Sequence, residues 1–186
     1  MPNKSLDFYL FDFKEKKVLN WKRRFCIIEG IAQGLVYLHH FSRLTVVHRD
    51  LKASNVLLDD EMRPKISDFW HRPEFLSRKK MKKRPIELLE HLVICLQNTA
   101  MSGIVSNKTD VFSYGVLLLE IVTGKKNNNC YQTEGPMNLI GYAWQLWIEG
   151  RASELIDPIY DGSCSPSAVL KMYSYWSVVC TRKSNR

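Results

Sequence analysis

The sequence predicts a mainly α-helical fold with a few short strands. Apolar residues recur at helical spacing between positions 21 and 38, nearly every position from 111 to 122 is apolar, and two short apolar runs flank a polar turn near position 60. The 186 residues are 45% apolar and 25% charged, which is typical of a soluble globular domain with one core. No apolar stretch reaches the roughly 18 residues that a membrane span needs.

Two helices are predicted in the first 40 residues. Residues 1–13 are expected to form a short helix with Leu6, Tyr9 and Leu10 on one face. Asn20 is expected to cap a longer helix, because its side chain can accept a hydrogen bond from the first turn. The apolar positions of that helix are Trp21, Phe25, Ile28, Ile31, Ala32, Leu35 and Leu38.

Two more helices are predicted after residue 100. One is expected to run from Asp110, as its N-cap, to Thr123, with Gly124 ending it. This helix is apolar nearly all round, as helices at the centre of a core are. The other is expected to run from Asn138 to Glu149 and to be closed by Gly150.

Short strands are predicted near residue 60. Val46 and Val47 form a short β-branched run that leads into a polar loop at residues 48–55. Residues 56–58 and 65–67 are expected to form two more strands, because a polar turn that ends at Pro64 separates them. A hairpin should therefore follow the polar loop directly.

The loop at residues 48–55 carries the strongest functional signal. It reads H-R-D-L-K-A-S-N, and Asp68-Phe69 follows thirteen residues after Asn55. This pattern matches the protein-kinase catalytic loop, H-R-D-x-K-x-x-N, and the metal-binding D-F-x motif that comes after it. A polar surface loop without a function would seldom contain so many of the residue types that this motif specifies in so short a stretch.

Phosphoryl transfer explains why these residue types stand at this spacing. A carboxylate must orient or deprotonate the substrate hydroxyl, and Asp50 is predicted to do so. Lys52 can neutralise charge on the transferring phosphoryl group. Asn55 and Asp68 offer an amide oxygen and a carboxylate, which are ligands that Mg²⁺ prefers. We therefore expect Asp50 and Lys52 to be catalytic, and Asn55 and Asp68 to bind metal.

Longer stretches around the loop resemble the plant receptor-like serine/threonine kinases, nearest the S-domain (lectin-type) and cysteine-rich groups. The resemblance covers MPNKSLDFYLF at the N-terminus and residues 19–69, 101–127 and 138–158. It implies a protein-kinase-like C-terminal lobe, mainly α (α+β), with short β-hairpins around the catalytic loop. It also implies ATP and Mg²⁺ as cofactors and serine or threonine of proteins as the phosphate acceptor.

The resemblance also implies roles for single residues. Leu57 would form the floor of the adenine pocket, so that Leu57, Asn55 and Asp68 together would contact Mg-ATP. Asp110 would brace the backbone of the catalytic loop. His48 is expected to be structural, packing and donating a hydrogen bond, whereas Arg49 could pair with a phosphorylated activation loop.

The chain departs from the family in three ways, and we expect it to be inactive as it stands. No G-x-G-x-x-G motif occurs, so the N-terminal lobe is expected to be absent. Trp70 stands where the family has the glycine of D-F-G. Residues 70–98 and 171–186 lack family sequence. The kinase C-lobe fragment is therefore expected to span residues 1–170, with residues 70–98 as a segment within it that does not follow the family.

Apparent frameshifts explain the two segments without family sequence. With one permitted choice of codons, a shifted frame over residues 86–99 spells R-I-V-G-T-F-G-Y-M-S-P-E-Y, the ending that the family's activation segment has. A shifted frame of the tail spells the family's next helix. Residues 70–98 carry seven basic and three acidic side chains, and residues 171–186 carry four basic and no acidic ones, so the two segments account for the whole net charge of +8.

Two other functions stay open. The chain could be a pseudokinase-like module that binds a protein partner on a bare surface facing the missing lobe, or the product of a pseudogene. The basic run Arg78–Arg84 could bind nucleic acid, but no groove-reading motif accompanies it, so no specific nucleic acid is expected. Without a membrane span the chain is expected to be cytoplasmic, whereas the family's kinase domains lie on the cytosolic side of plasma-membrane receptors.

Overall fold

A computed structural model describes residues 1–43, 46–68, 107–128 and 138–157. Its longer helices are α1 Leu6–Phe11, α2 Trp21–Val36, α3 Lys108–Thr123 and α4 Leu139–Ile148. Its strands are β1 Asn3–Ser5, β2 Val56–Leu58 and β3 Pro64–Ile66. A π-helical turn continues α2 over Tyr37–Phe41, and 3₁₀ turns lie at Glu15–Val18, Ala53–Asn55 and Ala152–Leu155. The predicted mainly α fold with short strands beside the polar loop is confirmed.

The helix ends follow the predicted capping chemistry, except at one position. The Asn20 side chain accepts a hydrogen bond of 3.0 Å from the Arg23 amide, and Asn138 caps α4 in the same way. Gly124 ends α3 in the left-handed conformation, with φ of 62°. The prediction of Asp110 as N-cap is wrong, because α3 begins at Lys108 and Asp110 lies buried in its first turn.

The buried face of α2 packs against the sheet and α3. The predicted positions Trp21, Ile28, Ile31, Ala32 and Leu35 are buried, whereas Phe25 and Leu38 are only half-buried. The helix lies so close to β3 that a Cβ on Gly30 would lie 2.5 Å from Cγ of Pro64, and one on Gly34 would lie 2.9 Å from Cδ1 of Ile66. These two glycines therefore allow the contact between α2 and β3.

The three strands form one antiparallel sheet with β2 in the middle. Strand β2 has the predicted bounds, and β3 begins one residue earlier than predicted, with Pro64 opposite Leu58. Proline is tolerated there because β3 is an edge strand. Strand β1 differs from the prediction, which places residues 3–5 in the first helix, and Val46 and Val47 are not in a strand.

Helix α3 lies at the centre of the core, as its apolar sequence predicts. Its buried apolar side chains include Val111, Tyr114, Leu117, Leu118, Leu119, Ile121 and Val122. Within the described ranges, no helix is both long and apolar enough to cross a membrane. The segments predicted to lack family sequence, 70–98 and 171–186, and the basic run Arg78–Arg84 lie outside the described residues.

Candidate functional site

The polar loop is anchored to the core by one buried carboxylate. Asp110 is fully buried, and its two oxygens accept hydrogen bonds of 2.7 Å from the backbone amides of His48 and Arg49. His39 Nε2 donates to the same carboxylate over 2.8 Å. Burial pushes the pKa of Asp110 up, but the hydrogen bonds from His39, Arg49 and His48 outweigh it and lower the pKa. The predicted role of Asp110 as a brace of this loop is confirmed.

The His48 side chain connects the loop to the end of β3. It is buried, and its Nε2 donates a hydrogen bond of 2.7 Å to the carbonyl oxygen of Ser67, while Nδ1 accepts from the Asp50 amide over 3.3 Å. Both ring nitrogens of His48 therefore make hydrogen bonds to backbone groups, one at Ser67 and one at Asp50. The prediction that His48 packs and donates a hydrogen bond is confirmed.

Asp50, Lys52 and Asn55 form one hydrogen-bonded cluster. Oδ2 of Asp50 accepts from Lys52 Nζ over 2.7 Å and from Asn55 Nδ2 over 3.1 Å. The Lys52 hydrogen bond holds the pKa of Asp50 below its ordinary value. The Asp50 side chain is 62% exposed and that of Lys52 is 54% exposed, so both can be reached from solvent.

Ser67, the residue before Asp68, is hydrogen-bonded to Asn55 of this cluster. The carbonyl oxygen of Asn55 accepts hydrogen bonds from the Ser67 amide over 2.8 Å and from the Ser67 hydroxyl over 2.9 Å. Asp68 follows with φ of 64°, a left-handed conformation that aspartate tolerates better than most residues. Its side chain is exposed. The backbone around Asn55 and Asp68 is thus joined, although the two lie thirteen residues apart.

Leu57 lies in β2, which begins directly after Asn55. It is half-buried in the middle of β2, where it pairs with Lys65 on β3 and Ser5 on β1. The roles assigned to Leu57 in nucleotide binding, to Asp50 and Lys52 in catalysis, and to Asn55 and Asp68 in metal binding stay predictions.

Two residues of the site were missed from the sequence. His39 is buried against Asp110, and helical spacing could have indicated it, since it lies seven residues after the buried Ala32. Ser67 joins the loop to β3 through its amide, hydroxyl and carbonyl groups. No pattern indicates Ser67, because its partners are set by the pairing of β2 with β3.

The chain is similar to known protein kinases along most of its length. A family model described as protein tyrosine and serine/threonine kinase matches residues 1–145. Cysteine-rich receptor-like protein kinase 10 of Arabidopsis thaliana is 47% identical over 92% of this chain and 25% of its own length. A G-type lectin S-receptor-like serine/threonine-protein kinase from the same plant is 47% identical over 99% of this chain and 21% of its own length.

Solved structures give the same result. The structure of the pseudokinase domain of BIR2, described as an immune regulator of the RLK/Pelle family, superimposes with a TM-score of 0.67 at 27% identity. The match covers 100% of this chain and 54% of the BIR2 chain. The chain thus spans about half of that domain and about a quarter of the length of the curated relatives.

Proposed function

Because the chain belongs to the protein tyrosine and serine/threonine kinase family, we propose that its Asp50 loop is the phosphoryl-transfer site of a serine/threonine protein kinase domain. The relatives are receptor-like kinases, which makes serine and threonine of proteins the proposed acceptors and ATP the proposed donor. The proposal concerns the site itself. Little or no turnover by this chain is expected, because Trp70 replaces the glycine of the family's metal-binding motif.

The arrangement around the Asp50 carboxylate is the observation that carries the proposal. Oδ2 is occupied by Lys52 and Asn55, whereas Oδ1 carries no hydrogen bond within the described residues. The lowered pKa of Asp50 keeps the carboxylate ionised at neutral pH, so Oδ1 can accept a hydrogen bond from an incoming hydroxyl. The short contact to Lys52 fixes the side chain in place beside a positive charge that suits a phosphoryl group.

The oxygens of Asn55 and Asp68 fit a magnesium ion that accompanies a nucleotide. Asn55 donates both of its described side-chain hydrogen bonds through Nδ2, to the carbonyl and the carboxylate of Asp50, which leaves the amide oxygen for another partner. Mg²⁺ in phosphoryl-transfer sites takes one or two protein oxygens and completes its shell with phosphates and water. Asn55 and Asp68 would hold the ion, which would supply charge neutralisation at the phosphates.

A pseudokinase-like binding module is the second candidate. Two observations favour it: Trp70 stands in the metal-binding motif, and one structural neighbour is a pseudokinase domain. On this alternative, the braced loop would be inherited as part of the fold and a protein partner would bind elsewhere. The two candidates differ in whether the Asp50 loop still binds Mg-ATP and transfers phosphate.

Thermal unfolding with and without Mg-ATP tests the proposal. A ligand at 100 times its dissociation constant stabilises a protein by about 2.7 kcal/mol, which corresponds to a rise in Tm of about 5 to 10 °C for a chain of this size. We expect such a rise with Mg-ATP, none with ATP in EDTA, and its loss in Asp68→Asn. Asp60→Asn is the matched control, since Asp60 is an exposed carboxylate in the turn between β2 and β3.

Phosphate transfer then separates the candidates. The departures from the family predict little or no transfer from labelled ATP to casein by the native chain, and any transfer that does occur should be absent with Asp50→Asn. A rise in Tm without any transfer would favour the pseudokinase-like module. No rise in Tm at millimolar Mg-ATP would contradict the proposal, because the phosphate and metal site would then not be formed.

A further inference from the structure

Ser67 lies directly after β3 and directly before the proposed metal ligand Asp68. The regular pairing of β3 with β2 ends with Val56 opposite Ile66. Beyond that pair, the Ser67 amide donates a hydrogen bond of 2.8 Å to the carbonyl oxygen of Asn55, and the Ser67 hydroxyl donates a second one of 2.9 Å to the same oxygen. The sheet is therefore joined to the loop by two groups of one residue.

The double hydrogen bond from Ser67 holds the backbone of the other proposed metal ligand, Asn55. The Asn55 amide donates to the carbonyl oxygen of Lys52 over 3.0 Å, and its side-chain Nδ2 donates to the carbonyl and the carboxylate of Asp50. Within the described part of the chain, the one polar atom of Asn55 that makes no hydrogen bond is its side-chain oxygen Oδ1. Asn55 is also buried, so the bonds from Ser67 help to fix where this oxygen lies.

The carbonyl group of Ser67 holds the peptide that leads to Asp68. It accepts a hydrogen bond of 2.7 Å from Nε2 of the buried His48. Asp68 follows in the left-handed conformation, with φ of 64°, and a residue other than glycine stays in that conformation only where its surroundings hold it there. Because φ is the rotation that starts from this peptide, the bonds of Ser67 fix the base from which the Asp68 side chain projects.

We propose that the Ser67 hydroxyl is a positioning group for Mg-ATP, because it keeps the side-chain oxygens of Asn55 and Asp68 in the relative position that a magnesium site needs. The inference rests on the proposed function, since it takes these two residues as metal ligands. Mg²⁺ demands near-ideal octahedral geometry, and groups that orient the ligands of a metal typically change its affinity by about 10- to 100-fold. Ser67 acts through its neighbours and contacts neither the metal nor the nucleotide.

The hydroxyl can be separated from the amide of the same residue. Almost any residue at position 67 supplies the amide hydrogen bond to Asn55, whereas the hydroxyl is a property of serine and threonine. Ser67→Ala therefore removes one of the two bonds and keeps the other. Ser67→Thr keeps both, and because Ser67 is only half-buried, the added methyl group can be accommodated.

Binding of Mn²⁺–ATP to the whole chain tests the inference without requiring turnover. Mn²⁺ takes the same kinds of oxygen ligand as Mg²⁺, and its binding to a protein changes the relaxation rate of water protons, which gives a dissociation constant. The dissociation constant of Ser67→Ala should be at least about tenfold higher than that of the native chain. That of Ser67→Thr should stay close to the native value.

Ser42→Ala is the matched control. Ser42 is also half-buried, and its hydroxyl donates a hydrogen bond of 2.8 Å to the carbonyl oxygen of Leu38, at the end of the π-helical turn that follows α2. Each alanine variant loses one bond from a hydroxyl to a carbonyl, so urea denaturation should show a small loss of stability of similar size in both. Only Ser67→Ala should bind Mn²⁺–ATP more weakly, which a merely structural role of the hydroxyl would not produce.

The outcomes separate this inference from the proposed function. Equal Mn²⁺–ATP affinities of the native chain and Ser67→Ala would overturn the inference and leave the proposed function standing. Equally weak binding by Ser67→Thr, or an equally large loss in Ser42→Ala, would overturn it too, because the effect would then not depend on the hydroxyl at this position. If the native chain does not bind Mn²⁺–ATP, the proposed function is contradicted and the inference falls with it.

Discussion

Replacing Asp110 with alanine should destabilise the whole fold and release the loop at residues 48–55. The substitution removes the acceptor of three buried hydrogen bonds, from the His48 amide, the Arg49 amide and His39 Nε2. Hydrogen bonds to charged groups contribute about 1.5–3 kcal/mol each, but they share one carboxylate and do not add fully. We therefore expect a loss of about 3–5 kcal/mol in the free energy of unfolding, as for other broken buried charge pairs.

Urea denaturation followed by circular dichroism measures this loss. The control is Asp60→Ala, which removes an exposed carboxylate and should change stability by no more than about 0.5 kcal/mol. Amide hydrogen exchange gives a second, local readout, because the His48 and Arg49 amides should lose protection before the rest of the core. A loss below about 1 kcal/mol, with both amides still protected, would refute the assignment of Asp110 as the brace.

The pH dependence of the same variant has a definite sign. The folded-state pKa of Asp110 is lowered from 3.8, so its contribution to stability is present above that value and is lost as pH falls through the lower folded-state pKa. The difference in unfolding free energy between the native chain and Asp110→Ala should therefore be constant near neutral pH and shrink at strongly acid pH. A difference that grows on acidification would show that the carboxylate is not held in its charged form.

Three further predictions follow from other parts of the molecule. Asp157→Ala should cost about 3–5 kcal/mol in urea denaturation, because it leaves the buried Arg24 without its carboxylate partner at 2.8 Å and also removes the contact to Lys16; a loss within the error of the method would contradict it. Gly30→Ala should destabilise by about 1–3 kcal/mol through its clash with Pro64, whereas Gly150→Ala has open space around it and should cost about 1–2 kcal/mol through its left-handed φ alone; no loss of stability in Gly30→Ala would argue against the close contact of α2 with β3. Sequencing of the transcript over codons 68–100 and 170–186 should show that a shifted frame spells the family's activation-segment ending and next helix, and any other sequence in those frames would rule out frameshifts.

Local chemistry made much of this fold predictable from the sequence. Caps such as Asn20 and Asn138, and the glycine after α3, act on backbone groups within one helical turn, so the residue type and its position are enough to place the helix ends. The kinase-like motif at 48–55 can be recognised for a similar reason, because its characteristic residues lie in one continuous stretch of sequence. Strand β1 could not be predicted in this way, since it is three residues long and forms only by pairing with Leu57 and Leu58, more than fifty residues away.

Asp110 shows why long-range contacts override local preference. An aspartate before an apolar helix is a good N-cap by composition, yet here its carboxylate is turned away from the α3 backbone and accepts the amides of His48 and Arg49 instead. The helix then begins at Lys108, with Asn107 in the N-cap position and no side-chain cap. The chain gives up a local capping bond of about 1 kcal/mol and gains hydrogen bonds to a buried charge that fix the loop at residues 48–55.

The use of long-range hydrogen bonds in place of local ones also explains how so short a loop can hold its side chains in fixed positions. The side chains of Asp50 and Asn55 are hydrogen-bonded to each other. The backbone on either side of them is held by hydrogen bonds to Asp110 of α3 and to Ser67 at the end of β3. His48 connects these two supports, since its amide bonds to Asp110 and its ring to Ser67. Because the supports come from α3 and from the hairpin, any change that separates α3 from β3 should disturb Asp50 before it unfolds the core. The loss of protection at His48 and Arg49 in Asp110→Ala is therefore a direct test of how the core positions the site.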